Sequence, residues 1–129
     1  MKIKLPIQTK EIIDGKLVVN EFEKEINIDF TLMANVRFES KFPTLAFDKF
    51  GNPYDNLESY SKRIYAVEQL SLPVIISKMK ALYCWFDTDM SFEDFLRLFD
   101  LSDIQYTKRL INAIKEAFEL IFNASAEKN

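Results

Sequence analysis

The stretch that decides the fold is Pro73-Val-Ile-Ile-Ser-Lys-Met-Lys-Ala-Leu-Tyr-Cys-Trp-Phe86. Apolar side chains surround it almost completely, and only Ser77, Lys78 and Lys80 are polar. A helix that is apolar nearly all round is usually buried in the centre of a fold. Pro73 suits the first turn of such a helix, where its missing N–H would have no partner in any case. The sequence therefore predicts a central helix over about 73–86.

The first thirty residues have the pattern of strands. Residues 3–7 alternate apolar side chains with polar ones or proline, a period of two. Asp14-Gly15 between two apolar runs is a strong hairpin signal. Residues 26–30 alternate again, and Pro6 places its strand at an edge or a break. We predict a small antiparallel sheet of two or three strands.

The rest of the chain has helical signals. Asp29 or Thr31 can cap the first helix, with Leu32, Val36 and Phe38 facing inward. Pairs of the capping-box type, Ser91 with Asp94 and Ser102 with Gln105, open the last two helices. The predicted helices besides the central one cover 31–41, 56–70, 91–99 and 103–124.

The fold class is therefore α+β, with about five helices and a small N-terminal antiparallel sheet. We expect one domain over 1–129, made of a sheet region at 1–30, a helical region at 31–124 and a frayed tail at 125–129. The length of 129 residues fits a single domain.

The last predicted helix has an unusually wide apolar face. Its apolar residues between 110 and 122 cover an arc of roughly 200°, whereas a surface helix needs a stripe of about 100° or somewhat more. Two explanations stay open. The helix either contacts a second protein as well as its own core, or it is wedged deeply into its own fold.

Composition excludes most catalytic chemistry. The chain has no histidine and one cysteine, Cys84, which lies on the central helix and is expected to be structural. The carboxylates at 87, 89, 93 and 94 could hold a cation, but helix ends explain them better. Phosphate-binding glycine motifs are absent. We expect no cofactor, no metal and no enzymatic activity.

Charge and hydropathy also bear on partners. The net charge is −3 and the basic residues are scattered, so we expect no nucleic-acid binding. No apolar run approaches a signal peptide or the roughly 18–20 residues of a spanning helix, so we expect no membrane association.

Four stretches together resemble the tail assembly chaperones of long-tailed bacteriophages of low-G+C Gram-positive bacteria. They are Val36-Arg-Phe-Glu-Ser-Lys-Phe-Pro43, Leu57-Glu-Ser-Tyr-Ser-Lys-Arg-Ile64, Ser77-Lys-Met-Lys-Ala-Leu-Tyr-Cys-Trp85 and Ser91-Phe-Glu-Asp-Phe-Leu-Arg-Leu-Phe-Asp100. The resemblance covers roughly residues 25–125.

The resemblance implies a non-enzymatic assembly factor. Proteins of that family self-associate and bind the tape measure protein in the host cytoplasm, and they are absent from the mature virion. Many are made in two forms, because a −1 frameshift adds a second domain that recruits tail tube protein. Here Glu127-Lys128-Asn129 can be encoded by GAA AAA AAC, which contains a slippery heptamer. An ordinary frayed polar tail explains the same residues.

A chaperone of this kind needs an apolar surface for the helical stripes of its client. We expect that surface on the last helix and on the helix around 31–42, with the binding residues Phe38, Phe42, Ile114, Phe118, Ile121 and Phe122. Three alternatives stay open: a tail-completion or connector protein of the virion, a small enzyme or metal protein, and an inhibitor directed at a host protein.

Overall fold

The structure is a computed structural model. It describes residues 1–45, 50–52, 56–69, 71–100 and 102–127, with side chains in the last helix up to Asn123. In chain order the described elements are β1 (Lys2–Ile13), β2 (Lys16–Ile28), α1 (Leu32–Lys41), α2 (Leu57–Tyr65), α3 (Leu72–Cys84), β3 (Phe86–Asp87), α4 (Phe92–Arg97) and α5 (Ile104–Glu127). The predicted α+β class is confirmed, since the described part of the chain has a three-stranded antiparallel sheet and five helices. Two of the strands come first in the chain, and the third lies between α3 and α4.

A long hairpin forms most of the sheet. β1 and β2 pair antiparallel from Lys2 opposite Asn27 to Ile13 opposite Lys16. Asp14 and Gly15 make the turn with φ of 51° and 76°, the left-handed geometry that a two-residue hairpin turn requires. β1 is an edge strand, as Pro6 predicted.

The sheet has three strands, the larger of the two predicted numbers, but residues 26–30 do not form a strand of their own. No glycine or proline stands between Lys16 and Ile28, so β2 continues through this stretch without a turn. The third strand of the sheet is instead β3, which follows α3 and pairs with Asn27 and Ile28 at the end of β2.

The helices begin at polar capping residues. The side chains of Thr31, Asn56 and Ser91 accept hydrogen bonds from backbone N–H groups in the first turns of α1, α2 and α4. The predicted cap of the last helix was one residue early. Ser102 bonds to Asp100 through both its N–H and its hydroxyl, while Asp103 accepts from the N–H of Tyr106 at 3.2 Å.

α3 lies at the centre, as its composition predicted. It packs against α1, α2 and α5. Its residues Met79 and 81–84 are buried, and Leu72 at its exposed N-terminal end is not. The core continues from α3 onto one face of the hairpin, where Ile3, Leu5, Ile7, Ile26 and Ile28 are buried.

α1 is rotated relative to the prediction. Ala34 and Phe38 face the core, whereas Leu32 and Val36, which were predicted to face inward, are exposed. Residues two positions apart on a helix lie about 200° from each other, so burial of Ala34 and Phe38 turns Leu32 and Val36 outward. The bulky Phe38 ring decides the orientation, because it packs against Tyr60 of α2 with the ring centroids 5.2 Å apart.

Candidate partner-binding surfaces

The six residues predicted to bind a partner lie in two groups within the core. Phe38 packs against Tyr60, and Phe42 contacts the ring of Phe92 edge-on at 5.0 Å. Both phenylalanines extend from α1 toward neighbouring helices, and Phe38 is 2% exposed. As they stand, these two side chains stabilise the fold and present little surface to a partner.

The second group lies on α5. Ile114, Phe118 and Ile121 are buried, and only Phe122 of this group is partly exposed. Phe118 and Phe122 enclose the ring of Tyr65 at centroid distances of 6.0 and 5.6 Å. The wide apolar arc of α5 is therefore filled by the protein's own β1, α2 and α3. Burial removes the support for an open, exposed binding surface at Phe118 and Ile121. Ile114 and Phe118 still line one side of a groove between the helices.

The outer face of α1 is an exposed apolar surface. Leu32, Met33 and Val36 lie on it at relative positions i, i+1 and i+4, and Leu32 is 78% exposed. The neighbouring Arg37 is directed away from this face, since it binds Asp29 at 2.8 Å and the carbonyl oxygen of Cys84 at 3.0 Å. We call these three apolar residues the α1 face.

A second exposed apolar surface is the end of the hairpin, residues 11–19, which we call the hairpin tip. Ile12 and Leu17 are directly paired across the strands and are 78% and 63% exposed. Ile13 and Val19 are also exposed. The tip begins beyond Lys10, whose ammonium group binds Asp100 at 2.7 Å and ties the hairpin to the helical region.

A groove of about 430 Å³ lies between the C-terminal end of α2, α3 and α5. Its apolar lining is formed by Tyr65, Val67, Ile75, Ile111, Ile114 and Phe118. Its charged residues are Glu68, Lys78 and Lys115, so we call it the lysine groove. Burial, together with the nearby charge of Lys115, lowers the pKa of Lys78. Lys78 donates a hydrogen bond to the carbonyl oxygen of Val67 at 2.9 Å.

Two of the side chains considered for chemistry, Cys84 and Asp94, have structural surroundings. Cys84 is buried, and its burial raises the pKa of its thiol to about 12. Asp94 pairs with Arg97 on the surface of α4, at 2.8 Å. Among the described residues no three acidic, histidine or cysteine side chains come together as a metal site would require.

The helices also differ from membrane-spanning ones. In the described part of the chain, no helix combines the length and the apolar content needed to cross a bilayer. Of the predicted frameshift-coding residues, Glu127 is the last residue of α5, and Lys128 and Asn129 lie outside the described residues.

Comparisons of the chain with protein-family models, with curated proteins and with solved structures found no match.

Sequence reasoning missed the hairpin tip and the three residues of the α1 face, of which Leu32 and Val36 were expected to face inward. The signal for the tip was present: Ile12-Ile13 and Leu17-Val18-Val19 flank the turn without the polar alternation of a strand that is buried on one side only. Apolar residues on both faces of a ribbon cannot all reach one core. Some of them had to be exposed or covered by a partner.

Proposed function

We propose that this protein is a non-enzymatic tail assembly chaperone of a long-tailed bacteriophage, which self-associates and binds the tape measure protein in the host cytoplasm. The sequence resemblance over residues 25–125 supports this proposal. The structural observation that carries it is the α1 face, where Leu32, Met33 and Val36 are exposed on a helix that buries Ala34 and Phe38 on another side.

The α1 face suits a helical client. Apolar residues at i, i+1 and i+4 form a stripe along one side of a helix, and such a stripe packs against a similar stripe on another helix. A tape measure protein presents long apolar helical stripes. We therefore assign client binding to Leu32, Met33 and Val36 in place of the buried residues Ile114, Phe118 and Ile121.

The test is co-expression with the tape measure protein encoded in the same phage genome. The chaperone is expected to keep the tape measure protein in the soluble fraction and to copurify with it. The variant Leu32→Glu/Val36→Glu should lose both effects, because two carboxylates would be buried against the apolar stripe. The control is Leu72→Glu, which places one carboxylate on an exposed leucine in the first turn of α3 and should retain binding, and the single variant Leu32→Glu is its match in charge.

A longer form that recruits tail tube protein belongs to the same proposal. It requires that the codons of Glu127, Lys128 and Asn129 contain the slippery heptamer and that an open −1 frame follows. Reading the nucleotide sequence tests this point directly. An immediate stop in the −1 frame would restrict the proposal to a single short product.

The alternative function is a tail-completion or connector protein of the virion. The two proposals differ in one observation. Mass spectrometry of purified particles should not detect the chaperone, whereas it should detect a connector protein in a fixed number of copies.

A further inference from the structure

We propose that the hairpin tip of one copy docks into the lysine groove of a second copy, so that the chains associate head to tail. This inference rests on the self-association included in the proposed function, and it names the two surfaces that perform it. The surfaces are formed by different elements, so the contact is not between identical patches.

The tip has the shape and polarity of an inserting element. It is a two-stranded ribbon that leaves the core beyond Lys10, with the exposed pair of Ile12 and Leu17 near its end. The turn at Asp14 and Gly15 closes this end with only two residues. Burying an exposed isoleucine or leucine in an apolar site stabilises a contact, because it removes apolar surface from water.

The groove offers an apolar site that is large enough for the pair. Its volume of about 430 Å³ is lined by side chains such as Val67, Ile111 and Phe118. An isoleucine or leucine side chain occupies on the order of 100 Å³, so the Ile12–Leu17 pair fills about half of the groove and leaves room for part of the ribbon that carries it. Because the groove is open between three helices, a narrow ribbon can enter it.

The charges of the two surfaces are complementary. The tip carries two carboxylates and one ammonium group, from Glu11, Asp14 and Lys16. The groove carries two ammonium groups and one carboxylate, from Lys78, Lys115 and Glu68. Lys10 does not add to the charge of the tip, because it is paired with Asp100 within its own chain.

The like charges in the groove favour such an occupant over a purely apolar one. Lys78 is partly desolvated and lies near Lys115, an arrangement that an incoming carboxylate relieves. Complementary charges also fix the direction in which the ribbon enters.

A head-to-tail contact has a consequence for assembly. Interfaces between two different patches build a closed ring if the rotation closes, and an open helical filament if it does not. Each copy in the interior of such an assembly uses its own tip and its own groove. The α1 face takes part in neither surface and stays accessible to a client.

The experiment compares a tip variant, Ile12→Ser/Leu17→Ser, with a groove variant, Val67→Glu/Lys115→Glu, by light scattering after size exclusion. Wild-type protein should form oligomers in the micromolar range. Each variant alone should be monomeric. An equimolar mixture should form a 1:1 dimer, because the tip variant retains its groove and the groove variant retains its tip. The control Leu32→Ser/Val36→Ser alters the α1 face and should assemble like the wild type.

Several results would overturn the inference. Wild-type protein that stays monomeric, a groove variant that still assembles, or a mixture that stays monomeric would each do so. If either variant fails to fold by circular dichroism, cysteine variants Ile12→Cys and Val67→Cys replace it. Mixed and oxidised, they should give a covalent dimer, whereas Ile12→Cys with Leu32→Cys should not. Protein that stays monomeric but binds the tape measure protein would refute head-to-tail docking and leave the proposed function intact.

Discussion

The hydroxyl group of Tyr106 in α5 donates a hydrogen bond to the carbonyl oxygen of Pro6 in β1, at 2.8 Å and across 100 residues of sequence. The same hydroxyl oxygen accepts from the backbone N–H of Gln8 at 3.2 Å. Pro6 and Gln8 point these groups away from β2, on the edge of the sheet. One tyrosine therefore covers part of an edge that could otherwise pair with another chain.

Replacing Tyr106 by phenylalanine should lower the free energy of unfolding by about 1–3 kcal/mol, because the backbone groups of Pro6 and Gln8 lose their partner. The control is Tyr65→Phe, which removes an exposed hydrogen bond to Glu119 and should cost about 0.5 kcal/mol or less. Urea unfolding followed by circular dichroism measures both. Equal losses in the two variants would show that Tyr106 does not protect the edge.

Arg37 of α1 donates to the carbonyl oxygen of Cys84 at the end of α3 and also pairs with Asp29, which precedes α1. Burial alone would raise the pKa of Asp29, but hydrogen bonds from Thr31 and Arg37 outweigh it and hold that pKa below its ordinary value. A carboxyl group with a lowered pKa stabilises the fold above its unfolded pKa of about 3.9, and this stabilisation is lost as the pH falls through the folded value.

The variant Arg37→Met should therefore lose about 2–4 kcal/mol of stability at pH 7, because Asp29 keeps a charge in a mostly buried position. The difference from wild type should narrow below about pH 4, where Asp29 in the variant is protonated. Arg97→Met breaks the exposed pair with Asp94 and should cost at most about 1 kcal/mol. If the stability lost in Arg37→Met did not change with pH, the carboxylate of Asp29 would not be the group that Arg37 stabilises.

Cys84 should resist modification in the folded protein. Burial raises the pKa of its thiol from 9.0 to about 12, and the thiolate is the reactive form. Iodoacetamide at pH 8 should label the protein only in denaturant. Above pH 9 the thiol loses its proton in the unfolded chain but keeps it in the folded chain. The free energy of unfolding should therefore fall with rising pH, by up to about 1.4 kcal/mol per pH unit from Cys84. Cys84→Ala should remove this slope, and a slope equal to that of wild type would contradict the assignment.

The turn of the hairpin depends on Gly15, whose φ is 76°. A Cβ atom at this position would meet no other atom within 4 Å, so the cost of Gly15→Ala comes from the backbone alone. We expect Gly15→Ala to lower the free energy of unfolding by about 1–2 kcal/mol. Asp14→Asn should be nearly neutral, because asparagine tolerates the left-handed region. Thermal unfolding of both variants checks this, and a neutral Gly15→Ala would indicate that the tip changes its turn type.

Much of the fold could be predicted because its signals are local or compositional. The Asp14-Gly15 turn, the proline at the start of α3 and the caps of α1 and α4 each depend on a few adjacent residues. The central place of α3 follows from its composition, since a helix without a polar face has to be surrounded.

The orientation of α1 and the role of α5 could not be predicted in the same way. α1 has apolar residues on both sides, and the choice between Leu32 and Phe38 depends on Tyr60, a tertiary contact. The wide apolar arc of α5 indicates that much of its surface has to be covered. It does not indicate which element covers it. Tyr65 of α2 covers the part formed by Phe118 and Phe122, and no local pattern identifies that partner.

The contrast between two residues of α5 tests whether its apolar arc belongs to the core. Phe118 is 0% exposed, and Phe118→Ala should lower the free energy of unfolding by about 3–5 kcal/mol through the cavity it leaves. Leu120 is 45% exposed, and Leu120→Ala should change it by about 0.5 kcal/mol or less. At a temperature where Phe118→Ala stays folded, it should still bind the tape measure protein, because the α1 face is intact. A folded Phe118→Ala protein of nearly wild-type stability that fails to bind would return client binding to α5.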